Sequence, residues 1–213
     1  MARILLSGAT GLVGGEALRL LLADDRVAVV VAPTRRALAA HAKLVNPVVD
    51  ADSLPLDAEW WAVDGAIGAL GTTRRAAGSA AAFRAIDHDY ALAVARRVRE
   101  GGAKRFALCS STGANARSPL LYPRTKGELE EAVGGLGFAS LTIVRPGFIG
   151  GVRSEVRPME RFVGAMLRAT APLLPMAARI SPAPTIARFL VEAAIAGGEG
   201  VRVVGPAEIA RAG

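Results

Sequence analysis

The sequence predicts a doubly wound α/β fold, in which helices cover both faces of a parallel sheet. Short apolar runs alternate along the chain with segments of helical periodicity, as expected for strands joined by crossover helices. A glycine-rich turn, "GATGLVGG" at 8–15, joins the first run to the first helical segment. A Tyr-x-x-x-Lys pair in "YPRTK" at 122–126 opens a later helical segment. In such sheets, ligands bind at the carboxyl ends of the strands.

Seven segments are predicted to be strands. The run "VAVVVA" at 27–32 is β-branched and uninterrupted, which suits a parallel strand that is buried on both faces. Pro47 makes the third segment a weaker or shorter strand, because proline cannot donate to a sheet ladder. The segments are 3–7, 27–32, 44–49, 64–70, 105–110, 141–147 and 201–204.

Five segments are predicted to be helical. Gly101–Gly102 end a long helix, and Gly134–Gly135 end the helix that opens near Tyr122. The segments are 16–23, 79–100, 122–134, and stretches near 158–170 and 184–196. The last two predict a small C-terminal helical region, about 148–200, that covers the substrate within a single domain, 1–213.

Composition indicates a folded protein that does not enter a membrane. The chain has 213 residues, enough to bury a core, and its 52% apolar content argues against extensive disorder. Its apolar runs are far shorter than the roughly 20 residues of a spanning helix. The N-terminal apolar stretch is too short for a signal peptide. We therefore expect a cytoplasmic monomer or homodimer with no membrane partner.

Charge and metal-ligand residues limit the partners further. The net charge of +7 comes from scattered arginines, 23 Arg against 3 Lys, so no nucleic-acid partner is expected. Cys109 is the sole cysteine, which rules out an intrachain disulfide, and its place at the end of an apolar run favours an inert thiol. His41 and His88 lack companions for a metal site, and none is expected. The expected partner is a small-molecule substrate.

The glycine-rich turn has the spacing of a phosphate cradle. Its three glycines form G-x-x-G-x-x-G between a strand and a helix. Such a turn lets the backbone approach a pyrophosphate, and the helix N-terminus adds N–H donors and the positive end of its dipole. The motif predicts a Rossmann-type dinucleotide site, with an ordinary glycine-rich turn as the alternative. The predicted contacts are Gly8, Thr10, Gly11, Leu12, Val13 and Gly14.

The end of the second strand selects the cofactor. An NAD site usually places an acidic residue about 20 positions beyond the glycines, where this chain has "APTRR" at 32–36. Thr34, Arg35 and Arg36 would instead hold a 2′-phosphate, because guanidinium groups bind phosphate with forked donors. NADP(H) is therefore preferred over NAD(H). The alternative is that both arginines are solvated surface charges.

The ends of the third and fourth strands also point to this site. Asp50 follows the third strand, where it can reach the adenine amino group or cap a helix. The segment "LGTT" follows the fourth strand, where it either passes close beneath the cofactor or forms an ordinary turn. Its predicted contacts are Leu70, Gly71, Thr72 and Thr73.

Tyr122 and Lys126 are the predicted catalytic pair. Two tyrosines and three lysines would give such a pair by chance in roughly 3% of chains of this length. Four-residue spacing puts both side chains on one helix face, and Pro123 suits the first helical turn. A phenol with its usual pKa near 10 is a poor catalyst at neutral pH, and a nearby ammonium lowers that pKa. A surface i,i+4 pair is the alternative.

A hydroxyl from "SSTG" at 110–113 would hold the substrate oxygen beside the phenol. Ser111 is preferred, Thr112 is the next candidate, and Ser110 is assigned a structural role. Lys126 would also hydrogen-bond the nicotinamide ribose.

These segments resemble the atypical and extended short-chain dehydrogenase/reductases. The resemblance rests on "SGATGLVG", "CSSTGANARSPLLYPRTKGELE" and "VRPGFIGG". More narrowly, "LGTTRRAAGSAAAFRAIDHDY" and "RPGFIGGVRSEVRP" resemble the small branch of the human Tat-interacting oxidoreductase-like protein and its bacterial relatives. The resemblance implies a Rossmann fold, an NADP(H) site and a Ser/Thr–Tyr–Lys catalytic set. It also implies that Pro146 and Gly147 border the nicotinamide.

Two features depart from the family pattern. Asp87 stands where many relatives have an active-site asparagine, which puts a proton relay through that position in doubt. Fewer than 70 residues follow "RPG", too few for the sugar-nucleotide domain of the larger relatives.

The expected function is an NADP(H)-dependent oxidoreductase that acts on a small carbonyl or alcohol. Tyr122 exchanges the substrate proton, Lys126 assists it, and Ser111 holds the oxygen. Two alternatives are a cofactor-sensing regulator without turnover and a dehydratase or epimerase that uses bound cofactor transiently. Fold-level analogy cannot name the substrate.

Overall fold

The computed structural model describes residues 1–50, 54–150 and 181–213, and these contain a seven-stranded sheet in which all pairings are parallel. The strands are β1 (Ala2–Ser7), β2 (Val27–Val31), β3 (Leu44–Val45), β4 (Gly65–Gly68), β5 (Arg105–Cys109), β6 (Ser140–Val144) and β9 (Gly200–Val204). Their order is β3-β2-β1-β4-β5-β6-β9, so the direction of winding reverses between β1 and β4. This arrangement confirms the predicted Rossmann-type fold. A separate small sheet pairs β7 (Ile149–Gly150) with β8 (Ser181–Pro182).

Helices follow most of the strands, as crossover connections require. They are α1 (Leu12–Ala23), α2 (Arg74–Ala77), α3 (Ala80–Arg84), α4 (Ala91–Glu100), α5 (Leu121–Gly134), α6 (Ala183–Ala196) and α7 (Pro206–Ala212). A 3-10 turn covers Glu59–Trp61, and a π-helical turn, Ala85–Tyr90, joins α3 to α4. No helix within these described ranges combines the length and apolarity that crossing a bilayer would demand.

The core forms two layers because successive strand residues face opposite sides of the sheet. Ile4 and Leu6 of β1 pack with α1 and α6 on one face, whereas Leu5 packs with α4 and α5 on the other. All three side chains are fully buried. This two-sided burial explains why the strands appear as continuous apolar runs.

The seven predicted strands are all present in the structure, whereas the predicted helices differ from the observed ones. The weak third strand is only two residues long, with a bridge between Thr34 and Val48 beyond it. The predicted long helix 79–100 is interrupted by the π-helical turn, and α2 precedes it. The predicted helix 158–170, and most of the region 148–200 assigned to the substrate, lie outside the described residues.

Gly8 and Gly14 let the turn after β1 approach neighbouring backbone atoms closely. Gly8 has φ +86°, and a Cβ there would lie 2.5 Å from the carbonyl oxygen of Ala69, just beyond β4. A Cβ on Gly14 would collide with the carbonyl oxygen of Gly8. The turn therefore needs glycine at both positions because backbone atoms fill the space.

Replacing Gly14 with alanine should lower the free energy of unfolding by about 1–3 kcal/mol, the usual cost of overpacking. The matched control is Gly15→Ala, whose new Cβ would have its nearest neighbour at 3.6 Å. That control should gain about 0.5–1 kcal/mol from helix propensity. Urea denaturation of both variants measures the difference, and equal stabilities would contradict the close approach.

Candidate active site

The candidate site lies at the carboxyl edge of the sheet, where the loops after five parallel strands converge. These loops follow β1, β2, β4, β5 and β6. Because the strands are parallel, their carboxyl ends share one edge, and the winding reversal leaves a crevice between the β1 and β4 loops.

The N-terminus of α1 has the features of a phosphate cradle. Gly11 is its N-cap residue and supplies no side-chain cap, and the first turn holds no acidic residue. Gly11 N donates to Gly8 O at 2.9 Å, which closes the turn. The first N–H groups of a helix have no intrahelical acceptor, so those of Leu12 and Val13 can meet an anion. Thr10 and Gly11 are exposed, and the cradle fits a dinucleotide phosphate.

The loop after β2 is organised by Asn46, which sequence reasoning missed. Its side-chain nitrogen donates to Thr34 Oγ1 at 2.8 Å and to the carbonyl oxygen of Ala32, and its oxygen accepts from Leu38 N at 2.7 Å. Thr34 in turn donates its hydroxyl proton to the carbonyl oxygen of Arg36 at 2.7 Å. The Thr34 hydroxyl therefore orders the loop, and the arginines are left as its phosphate-binding candidates.

The charged groups around this loop are open to solvent. Arg35 and Arg36 are exposed, and within the described ranges neither forms an ion pair. Asp50 is also exposed, and the residues at 51–53 that would test a capping role lie outside the described residues.

The loop after β4 connects the cradle to the catalytic candidates. Ala69 and Leu70 lie against Gly8, which places the loop beside the phosphate cradle. Thr73 caps α2 by accepting from Ala76 N at 3.1 Å. Gly71 is exposed, and Thr72 N donates to Asp87 Oδ2 at 2.8 Å. The Leu70–Thr73 segment therefore forms a turn and also lies beside the phosphate cradle, so the two alternatives left open by the sequence do not exclude each other.

A buried ion pair lies behind this loop. The Lys126 ammonium is 2.7 Å from Asp87 Oδ1, and the two side chains are 4% and 0% exposed. Lys126 is therefore no surface partner of Tyr122, contrary to the alternative left open by the sequence. The sequence singled out Asp87 only as a doubtful proton relay. Its carboxylate is the direct partner of the predicted catalytic lysine.

Tyr122 lies on α5, one turn before Lys126. It is the second residue of α5, is 45% exposed, and its ring centroid lies 5.8 Å from that of Phe83. Pro123 occupies the first turn as predicted, and its carbonyl oxygen accepts from Asn115 N at 2.9 Å. Helix α5 thus carries a half-exposed tyrosine and, one turn later, a buried ammonium.

The hydroxyls after β5 differ in their surroundings. Ser110 and Ser111 are buried, and neither hydroxyl finds a hydrogen-bond partner in the described parts of the chain. Thr112 is exposed, and its N–H donates to Pro146 O at 2.8 Å. Because an unsatisfied buried hydroxyl is costly, each serine is a candidate to bond a ligand oxygen, as is the Thr125 hydroxyl of α5, which also lacks a partner among the described residues.

A second ion pair, unforeseen from sequence, fixes the loop after β6. Arg145 binds Glu130 of α5 through two guanidinium nitrogens, with Nε 3.0 Å from Oε1. These hydrogen bonds raise the pKa of Arg145. Gly147 N donates to Ser181 Oγ at 3.2 Å on the opposite side. One feature of the sequence could have predicted this pair, because Glu130 is an acidic residue on the face of α5 that is buried against the core.

The electrostatics of the site extend to Cys109 at the end of β5. Burial raises the pKa of its thiol to about 11, and the positive charge of Lys126 acts in the opposite direction. The thiol is therefore protonated at neutral pH, in line with the inert role predicted for it. Within the described ranges, no three His, Cys, Asp or Glu side chains gather as metal ligands would.

Comparison with known proteins identifies relatives over most of the chain. The chain is 40% identical over 179 residues to "Protein fmp52, mitochondrial" of Emericella nidulans, covering 78% of this chain and 76% of the relative. The chain belongs to the Fmp52 family. A further Fmp52 protein, from Candida albicans, is 37% identical over 154 residues, covering 70% of this chain and 67% of its own length. No family model matches the sequence.

The names of these Fmp52 relatives correct one prediction. Both are called mitochondrial proteins, so the predicted cytoplasmic location is wrong. The physical reason is that composition and apolar run length report on membrane insertion, not on the compartment in which a folded domain works.

Solved structures share the fold at low sequence identity. A short-chain dehydrogenase/reductase described as glucose/ribitol dehydrogenase from Brucella melitensis aligns with TM-score 0.71 and 17% identity, covering 97% of this chain and 96% of that one. MoeE5 in complex with UDP-glucuronic acid and NAD aligns with TM-score 0.70 and 19% identity, covering 95% and 76%. These likenesses confirm the dehydrogenase/reductase fold of this Fmp52-family chain. The narrower resemblance to the Tat-interacting branch stays a prediction.

Proposed function

We propose that this protein is an NADP(H)-dependent oxidoreductase of the short-chain dehydrogenase/reductase type, acting on a small carbonyl or alcohol. The observation that carries the proposal is the buried Ser111 hydroxyl, which has no partner in the described residues and follows β5, the sheet neighbour of β4. The cradle at α1 supplies the matching anion site. Structural neighbours solved with NAD, such as MoeE5, add support by analogy of fold.

The cofactor would be held along the carboxyl edge. The backbone N–H groups of Leu12 and Val13 would bind its pyrophosphate, and the Leu70–Thr73 loop would pass beneath it. Lys126 would hydrogen-bond the nicotinamide ribose, with Pro146 and Gly147 beside the ring. The bound nicotinamide supplies or accepts the hydride of the reaction.

The chain's own residues would handle the proton and the substrate oxygen. Ser111 donates a hydrogen bond to the oxygen and holds it next to the phenol. Tyr122 gives its proton to that oxygen in reduction and takes it back in oxidation. Lys126 stabilises the negative charge that the phenol oxygen gains when the proton leaves.

The preference for NADP(H) rests on the loop after β2. Asn46 and Thr34 order this loop through hydrogen bonds, and Arg35 and Arg36 extend from it into solvent. Two exposed guanidinium groups on an ordered loop, neither paired with an acid among the residues that the structure describes, suit a 2′-phosphate. Within positions 32–36 there is no carboxylate to accept bonds from an unphosphorylated ribose.

A second candidate is a protein that binds the cofactor without turning over a substrate. The observation in its favour is the contact between Asp87 and Lys126. A carboxylate that close offsets the ammonium charge and weakens its effect on the phenol. Turnover therefore decides between the two candidates.

Replacing Tyr122 with phenylalanine should lower turnover at least about 100-fold, because general acid–base catalysis is lost. NADPH affinity should stay nearly unchanged. The assay follows NADPH absorbance across a panel of small aldehydes and ketones, with fluorescence titration for binding. The matched control is Tyr90→Phe, which removes the other phenol, half-buried on the π-helical turn, and should retain activity.

Full activity of Tyr122→Phe would overturn the catalytic assignment. Tight NADPH binding by the wild type without turnover on any member of the panel would favour the binding-only candidate instead.

Replacing Arg36 with alanine should weaken NADPH binding about tenfold or more, since a charge-assisted bond is worth about 1.5–3 kcal/mol. NADH binding should barely change, because only NADPH carries the 2′-phosphate. Isothermal titration measures both affinities, with Arg19→Ala, on α1 and paired with Glu16, as the control. Equal affinity of the wild type for the two cofactors would refute the preference.

A further inference from the structure

Asp87 joins three elements of the site. Its Oδ1 lies 2.7 Å from the Lys126 ammonium on α5, and its Oδ2 accepts from Thr72 N, at 2.8 Å, in the loop after β4. The carboxylate itself belongs to the π-helical turn and is fully buried. Both carboxylate oxygens therefore face groups that the proposed function assigns to cofactor binding.

The π-helical turn accounts for the inward position of Asp87. Phe83, Asp87, Ala91 and Ala95 are all buried and stand four residues apart. A regular α-helix has 3.6 residues per turn, so each four-residue step would rotate the side chain by about 40° away from the core. A π-helical turn is wider and reduces this drift, and such turns are frequent at functional sites.

Stability alone gives little reason to keep a buried carboxylate here. Burying two charges costs desolvation energy that their attraction often fails to repay, and apolar replacements of whole pairs are often neutral or better. The ammonium has three donors and the carboxylate occupies one direction. Within the described residues no second acidic side chain pairs with this ammonium, so its other donors are the ones that a ligand would meet.

We propose that Asp87 is a positioning residue that fixes the Lys126 ammonium and the Thr72 backbone at one point, so that the lysine and the β4 loop meet the cofactor together. This inference rests on the proposed function. It assigns to Asp87 a role through Lys126 instead of contact with the substrate. The influence of Lys126 on Cys109 places the ammonium charge near the end of β5 as well.

The first test measures the reactivity of Lys126 and needs no enzymatic activity. The folded protein is acetylated briefly and the three lysines are quantified by mass spectrometry. In Asp87→Asn, labelling of Lys126 should rise about tenfold, a coupling typical of contacting residues, while Lys43 and Lys104 stay at wild-type rates. The matched control is Asp89→Asn, which removes an exposed carboxylate of the same turn paired with His88.

The outcomes of the labelling separate positioning from loss of structure. Unchanged labelling of Lys126 in Asp87→Asn would overturn the proposal, as would a parallel rise at all three lysines. Asp87→Glu keeps the charge and should restore most of the protection. Equal labelling of Lys126 in the Glu and Asn variants would also count against the proposal. If the Asn variant does not fold, labelling of Lys126 in the Glu variant is compared with the wild type instead.

The second test asks whether Asp87 acts through Lys126. NADPH affinity is measured by fluorescence for Asp87→Asn, Lys126→Met and the double variant. Asp87→Asn should weaken binding about tenfold in the wild-type background and have little further effect beside Lys126→Met. Independent, multiplying losses would overturn the proposal. If the wild type binds no NADPH, the proposed function fails, whereas the labelling still tests the role of Asp87.

Discussion

The candidate site depends on one buried electrostatic contact, between the carboxylate of Asp87 and the ammonium of Lys126. Both side chains are buried, and an uncompensated buried charge is costly, so each group offsets the burial of the other. Their 2.7 Å contact makes α5 and the π-helical turn a unit. The hydrogen bond from Thr72 then adds the loop after β4, so the position of that loop follows from the ion pair.

Close backbone contacts complete this arrangement at the edge of the sheet. A Cβ on Gly127, the residue after Lys126, would collide with the backbone of Asn115 and Ala116. The helix therefore lies directly on the loop that carries the serine hydroxyls. On the far side, the Arg145–Glu130 pair attaches the β6 loop to the same helix. Helix α5 thus sets the relative positions of the phenol, the serines and the segment after β6.

The sequence predicted the sheet because each parallel strand is buried on both faces and leaves an apolar run. It also predicted the tight turn after β1, since Gly8 and Gly14 reflect backbone contacts that exclude any side chain, whereas phosphate binding there stays a prediction. The π-helical turn was not foreseen, because one of the buried positions that it aligns is the charged Asp87, which leaves no apolar pattern in the sequence. The pairing of Asp87 with Lys126 spans 39 positions, and no local pattern reports such a contact. The Thr34 hydroxyl was expected to hold a phosphate, but it bonds Arg36 O and Asn46 within its own loop, and a hydroxyl in the sequence does not show which acceptor it uses.

The fold does not name the reaction. Proteins with similar sheets include MoeE5, solved with UDP-glucuronic acid and NAD, and a glucose/ribitol dehydrogenase. The central claim concerns one contact. We propose that the Asp87–Lys126 ion pair holds the ammonium where it meets a nucleotide bound across the carboxyl edge of the sheet. A crystal structure of the protein with NADPH tests this most directly. We expect the pyrophosphate at the N-terminus of α1, the ribose within hydrogen-bond reach of Lys126, and Asp87 still beside the ammonium. A nucleotide bound elsewhere, or an ammonium that turns away from both, would contradict the account.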